Sequence, residues 1–413
     1  MTDVNHQAFD VIIMGAGSAG IATAASLLKR NAHLSVALVD PSEDHYYQPG
    51  WTMVGGGVFD AEQTHRKTED LIPGGARWIK AGVTQFQPDD NTVELANGSL
   101  LEYRQLVVAP GLKLNWGAVE GLEESLGSNG VTSNYRFDLA PYTYDLVQGL
   151  KSGKAVFTQP PMPIKCAGAP QKALYLSASY WHSKGCLQDI DIEFYNAVGV
   201  LFGVADYVPA LMEYMEKYGT SLNFQHNLIK VDGAAKKAWF RPAEPEGAQL
   251  VEVSFDMLHV CPPQCSPDVI AQSVLADAGG WLEVDPATLR HARYANIWGV
   301  GDIMNTTNAK TMAAARKQAP VVAQNVVDVL QGRDPSVAYD GYGSCPLTVE
   351  HGKIVLAEFG YGGKLLPTFP SWINEGTRPS AKAWHLKASV LPGVYWHAML
   401  KGREWFAGPN SAS

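Results

Sequence analysis

No stretch of eighteen apolar residues occurs in this 413-residue chain, so no segment is a candidate for a membrane-crossing helix. A basic surplus is missing too: 32 Lys and Arg stand against 41 Asp and Glu, a net charge of −9. That excludes a general pull toward nucleic acid or an anionic lipid surface, so any membrane contact must be local and apolar. The opening MTDVNHQAFD has neither a basic n-region nor an apolar h-region, which argues against a secretory signal. It also lacks the Arg-rich, acid-poor character of a transit peptide, although a chain already trimmed would look the same. Cysteine is scarce. Cys166, Cys186, Cys261, Cys265 and Cys345 are too few and too scattered for a disulfide scaffold. Cys261 and Cys265 have no second Cys or His pair nearby, so no metal site is expected. A reducing compartment fits, in which any disulfide that matters would be a working one.

What is present is a globular composition, 46% apolar, and enough length for two or three domains. Residues 9–40 read as strand, turn, helix and strand, the buried parallel kind of βαβ unit. A second α/β unit starts near Gly153. Its strand AVFTQ is followed by the helix APQKALYLSASYWHSKG, the strand DIDIEFYNAV and a helix over 206–219. Strands are expected through SLNFQHNLIKVDG, KAWFRPA and QLVEVSFDMLHVCPP, then NIWGVGD and the helix AKTMAAARKQAPVVAQNVVDVLQG. From Asp334 onward the chain reads as a meander rich in Gly, Pro and aromatics.

The first unit carries Gly15-Ala-Gly17-Ser18-Ala19-Gly20 between strand and helix. Gly15 permits the tight turn, Gly17 lets the backbone approach a pyrophosphate, and Gly20 lets helix and strand pack closely. Asp40, followed by Pro41, ends the second strand, where a carboxylate can accept from ribose hydroxyls. RQLVVAPG places Ala109, Pro110 and Gly111 on a turn like the one that leads out of an FAD domain. ANIWGVGD places Gly301 and Asp302 where flavoproteins of the two-dinucleotide-domain class hold the ribityl chain. The dinucleotide is therefore read as FAD. Gln48 and Pro49 are expected beside the isoalloxazine ring, with His45, Tyr46 and Tyr47 as packing or catalytic neighbours. Lys310 is expected near flavin N1 and C2=O, where its charge would stabilise the anionic reduced form.

The second unit lacks the matching glycine turn. After AVFTQ the chain reads PPMPIKCAGAP, whose four prolines remove backbone donors that a phosphate needs. Nicotinamide is thus not the expected electron donor. Cys166 lies in this turn, Lys165 beside it favours a thiolate, and a cysteine pair can relay two electrons to flavin.

The segments DPSEDHYYQPGW, PIKCAGAPQKALYLS, MLHVCPP, DAGGWLEVDPATLRHARYANIWGVGD, AKTMAAA, YDGYGSCPL and LPGVYWHAMLKG resemble the sulfide:quinone oxidoreductases, specifically their type II, eukaryote-like branch. They span nearly the whole chain. The resemblance implies an α/β fold of tandem Rossmann-like FAD/NAD(P)-binding domains, disulfide-reductase-like, with a C-terminal membrane-associating region. It implies that Cys166 and Cys345 are the redox pair, as a disulfide with or without a bridging extra sulfur. Sulfide attacks, one cysteine becomes a persulfide (Cys345 by resemblance), and the other hands electrons to FAD, which reduces quinone. The sulfane sulfur passes to a small acceptor: glutathione, sulfite, coenzyme A or cyanide. Cys186, Cys261 and Cys265 are expected to be spectators.

On this reading residues 1–115 and 290–335 form the FAD domain and 116–289 the second Rossmann-like domain with a degenerate NAD motif. Residues 336–413 form a quinone- and membrane-facing region. Tyr395, Trp396, Trp405 and Phe406 are expected at the headgroup level of a lipid surface, and Lys387 at the quinone head. The expected location is peripheral, on the cytoplasmic face of a bacterial inner membrane, or on the mitochondrial inner membrane if the chain is eukaryotic and processed. A homodimer stays open. The rival readings are a type II NADH:quinone oxidoreductase and a flavin-binding redox sensor without turnover.

Overall fold

Val11, Ile12 and Ile13 are wholly buried because their strand lies in the middle of a sheet covered on both faces, where alternation with polar residues has no use. The structure is a computed structural model. It describes residues 6–244 and 247–411, with the side chains of 6, 410 and 411 outside the description. β1 (His6–Met14) leads through a glycine turn into α1 (Ser18–Arg30) and then β2 (Val36–Val39). β1 pairs in parallel with β2 and with β3 (Leu100–Val108). Ala76–Ile79 adds to the outer edge of β2, while Thr92–Leu95 and Val83–Gln87 extend the sheet beyond β3. Ile297–Gly299 returns to pair in parallel with the C-terminal end of β3, so a late segment completes the first sheet.

The second unit is built on β4 (Gly153–Gln159), α2 (Ala169–Lys184) and β5 (Ile190–Asn196). Its five-stranded parallel sheet runs Val131–Thr132, Met257–His259, β4, β5, Ser221–Phe224. The helix expected over 206–219 is Val208–Lys217, entered through a 3-10 turn at Ala205–Tyr207. One expectation is corrected. SLNFQHNLIKVDG is not a single strand, because Gln225 adopts φ 59°, a left-handed conformation that extended backbone cannot contain. Ser221–Phe224 therefore stays in the parallel sheet. His226–Asp232 starts a separate antiparallel sheet with Lys237–Pro242 and Val251–Ser254.

α3 (Met312–Leu330) shares the first core with α1. The C-terminal segment, expected as a meander, contains regular elements. β6 (Gly343–Glu350) and β7 (Lys353–Phe359) form a hairpin whose Leu347, Val349, Val355 and Ala357 pack in one cluster with Ala173, Leu174 and Ala178 of α2. α4 (Leu391–His397) carries a second correction. Tyr395 and Trp396, expected at a lipid headgroup level, are 1% and 5% exposed and belong to the first core. Tyr395 Oη lies 2.6 Å from both Ser18 Oγ and His45 Nε2, which ties the buried hydroxyl as burial requires. Trp405 and Phe406 do stay exposed, at 56% and 77%. Among the described residues no helix is long and apolar enough to cross a membrane.

Candidate active site

The turn after β1 has the shape its glycines suggest. Gly15 sits at φ +101°, and a Cβ there would lie 2.4 Å from the Ala109 carbonyl oxygen. A Cβ on Gly20 would lie 1.9 Å from the Gly15 carbonyl oxygen, whereas at Gly17 nothing lies within 4 Å. Gly15 and Gly20 are thus packing positions, and Gly17 faces open space. α1 has no side-chain cap and no acidic residue in its first turn, so its free N–H groups and positive dipole end suit a pyrophosphate. Asp40 accepts from the Ala16 N–H at 2.6 Å and the Ser42 N–H at 2.8 Å, which fixes the turn and the end of β2.

These features open on a cavity of about 590 Å³. Its wall includes Gly17, Ser18, Ala19, Asp40, Gln48, Pro49, Ala109, Pro110, Gly111, Gly301, Asp302 and Lys310. Residues from β1, β2, β3 and the Ile297–Gly299 crossover thus meet as the FAD expectation requires. Pro41 is exposed and lies off this wall. Lys310 is nearly buried; its Nζ donates to the carbonyls of Asp302 (2.9 Å) and Met304 (2.6 Å) and lies 4.4 Å above the Trp281 ring. Burial brings its ammonium down to about 8. Burial also raises the Asp302 carboxyl, against the lowering pull of Lys310 and Lys165. His45, with Nδ1 on the Ala16 carbonyl and its other nitrogen on Tyr395, is a packing residue; burial holds it down to about 4.

Cys166 lies on the same wall, at φ 52° in the loop before α2. Its N–H donates to the Lys310 carbonyl at 2.8 Å, which pins the proline-rich turn to the crossover. Its Sγ lies 3.3 Å from Sγ of Cys345, which comes from β6, 179 positions away. Gly168 makes that approach possible: a Cβ there would lie 2.2 Å from Leu347 Cδ2 and 2.7 Å from Cys345 Sγ. Both thiols are free.

The charge around the pair differs from the expected one. Lys165 turns away, its Nζ donating to Gln48 Oε1 at 2.7 Å over the rings of Trp51 and Tyr135. The cation at the sulfur is Lys172 of α2, whose Nζ is 3.0 Å from Cys166 Sγ. The Cys345 S–H on Cys166, and then Lys172 against the opposing cost of burial, hold the Cys166 thiol well below its ordinary range. The same hydrogen bond pushes Cys345 well above it. The two thiols therefore titrate as a coupled pair, with Cys166 the more acidic partner. Lys387, expected at the quinone head, also lines this cavity. It is 4% exposed, its Nζ reaches the Pro346 carbonyl at 3.4 Å, and burial, with Lys172 second, lowers it to about 7. Lys172 was not among the residues the sequence singled out; a lysine early in a largely buried helix was the available signal.

Residues 9–145 match the family described as pyridine nucleotide-disulphide oxidoreductase. Over nearly the whole chain the similarity is sharper. The Mus musculus protein named "Sulfide:quinone oxidoreductase, mitochondrial" is 37% identical across 99% of this chain and 89% of its own. That of Dictyostelium discoideum, with the same name, is 40% identical across 97% and 87%. The chain belongs to the sulfide:quinone oxidoreductase family. The solved sulfide:quinone oxidoreductase of Aquifex aeolicus superposes with a TM-score of 0.78 at 20% identity, covering 96% of this chain and 92% of that one, which shows a shared fold.

A sulfide:quinone oxidoreductase is an FAD-dependent flavoprotein, and the cradle described above fits that cofactor. Gly17, the uncapped end of α1 and Asp40 suit the diphosphate and ribose; Gly301 and Asp302 suit the ribityl chain. Beyond them the cavity becomes apolar, lined by Leu356, Phe369, Leu386, Leu391, Trp405 and Phe406.

Proposed function

We propose that the chain oxidises sulfide at the Cys166–Cys345 pair, transfers the sulfane sulfur to a small nucleophile and reduces a membrane quinone. The observation that carries this reading is the 3.3 Å approach of two sulfurs from distant segments, one of which, Cys166, lies on the wall that holds the flavin-cradle residues. In the oxidised state the two cysteines form a disulfide. Hydrosulfide attacks the Cys345 sulfur; the Cys–Cys bond breaks, a Cys345 persulfide forms, and Cys166 leaves as a thiolate held by Lys172. A nucleophile such as glutathione, sulfite, coenzyme A or cyanide then takes the outer sulfur and leaves Cys345 as a thiolate. When bound, FAD supplies a two-electron acceptor for the dithiol and passes the pair on to quinone. Lys310 holds positive charge at the flavin, and Lys387 adds to the positive potential around the sulfurs. Sulfide, acceptor and quinone go in; sulfurated acceptor and quinol come out, with atoms and electrons balanced.

The apolar end of the cavity, with exposed Trp405 and Phe406, is the proposed quinone entrance and the point of peripheral membrane contact. The similar proteins of mouse and Dictyostelium carry a mitochondrial name, which favours the mitochondrial inner membrane. The cytoplasmic face of a bacterial membrane has no support from them. The proposed domain bounds remain 1–115 with 290–335, 116–289 and 336–413.

Anaerobic titration tests the reading. Sulfide should bleach the flavin and NADH should leave it unchanged. Cys166→Ser and Cys345→Ser should each keep FAD and lose sulfide-driven quinone reduction. Bleaching by NADH, or wild-type turnover in either variant, refutes it. Steady-state rates across the four acceptors identify the sulfur-accepting partner.

A further inference from the structure

The apolar end of the cavity contains one carboxylate that neither flavin cradle nor cysteine pair uses. Glu358, on β7, lies on the cavity wall yet is only 5% exposed. An ionised carboxylate in such surroundings is expensive unless donors surround it. Here Tyr342 Oη donates to Oε1 at 2.6 Å and Thr368 Oγ1 to the same oxygen at 2.5 Å. Among the described residues Oε2 takes only the Thr368 N–H, at 3.2 Å, which leaves it room to carry a proton. The hydroxyls of Tyr342 and Thr368 also touch, at 3.1 Å, and Thr368 is exposed. A chain of hydroxyls thus joins a buried acid to the outside. Tyr342 is itself on the cavity wall, as are Thr368 and Arg316.

Quinone chemistry gives such a group a task. A quinone becomes a quinol by taking two electrons and two protons, whereas an anionic reduced flavin brings two electrons and one proton. The second proton has to reach a quinone oxygen in a region lined by Leu356, Phe369, Leu391 and Trp405. We propose that Glu358 is the catalytic acid that delivers this proton, with Tyr342 and Thr368 positioning it and returning a proton from solvent. The Glu358 O–H bond breaks as the quinone O–H bond forms, and the carboxylate left behind is held by its three donors. The inference rests on the proposed quinone reduction and adds the proton route to it.

The test separates the two half-reactions by stopped flow, with FAD content and Tm as independent readouts. In Glu358→Gln, sulfide should bleach the flavin at close to the wild-type rate. Reoxidation of the dithionite-reduced flavin by a short-chain ubiquinone should fall about 100-fold, the lower end of the range for general acid catalysis. Glu358→Asp, which keeps the carboxyl, should recover most of that loss, and the wild-type reoxidation should slow in D₂O. Unchanged reoxidation in Glu358→Gln overturns the proposal. So does equal slowing in Gln and Asp variants, or a fall in both half-reactions together with Tm, since each marks shape rather than an acid. A wild-type flavin that sulfide bleaches but ubiquinone does not reoxidise refutes quinone reduction itself and takes this inference with it.

Discussion

Lys172 shows how one side chain sets the chemistry of another. Its ammonium lies 3.0 Å from Cys166 Sγ in a site nearly closed to water, where a cation acts strongly on a thiolate. Burial alone would lower Lys172, but the two cysteines raise it, so it stays charged throughout the useful pH range. Removing that charge in Lys172→Gln should move the titration of Cys166 to higher pH. At pH values below that titration, alkylation of the reduced protein by iodoacetamide should fall about 10-fold, the consequence of roughly one pKa unit. A pH profile of alkylation identical to wild type would show that the Cys345 hydrogen bond suffices by itself. Sequence reasoning found both sulfurs but gave the cation's role to Lys165, their neighbour in the chain. Cys166 at φ 52° separates the direction of Lys165 from that of the sulfur, and adjacency in sequence says nothing about such a turn.

At the scale of elements, the site depends on a hairpin reaching a helix. β6 delivers Cys345 only because Gly168, just before α2, has no side chain between them. In Gly168→Ala the new methyl would meet Leu347 and the Cys345 sulfur, and β6 would have to retreat from the start of α2. The expected result is normal FAD content with disulfide formation slowed about 10-fold, read by thiol titration during mild oxidation. Wild-type kinetics of disulfide formation would show that the hairpin yields without consequence. The glycine turn after β1, α1 and Asp40 were legible as one unit, since a local βαβ pattern fixes its own geometry. The break at Gln225 was not, because its strand patterning continues on both sides and only the backbone reverses.

For the molecule as a whole, a net charge of −9 leaves apolar contact as the means of holding a lipid surface. The proposed contact uses the exposed rings of Trp405 and Phe406, with Arg316 donating to the Trp405 carbonyl to hold the segment. A Trp405→Glu, Phe406→Glu double variant should bind FAD normally and lose co-sedimentation with phosphatidylcholine vesicles. Wild-type binding should resist high salt, since the two apolar rings carry most of it. Salt-sensitive binding, or unimpaired binding by the double variant, would place the contact elsewhere. The C-terminal aromatics read alike in sequence, yet Tyr395 and Trp396 fill the first core while Trp405 and Phe406 face out. Composition gives no facing, which is set by what α4 packs against.

The sequence by itself determined the parts whose physics is local. The Gly15–Gly20 turn specifies a dinucleotide cradle, the prolines at 160, 161, 163 and 170 argue against a second one, and the family resemblance singles out Cys166 and Cys345 among the five cysteines. Tertiary structure decided what depends on distance between remote segments. It set two sulfurs 3.3 Å apart, chose Lys172 over Lys165, buried Lys387 within reach of the pair's charge and left Glu358 on the cavity wall. The physical reason is that interactions between side chains fall off over a few ångströms, and a linear pattern does not encode separations between segments on that scale.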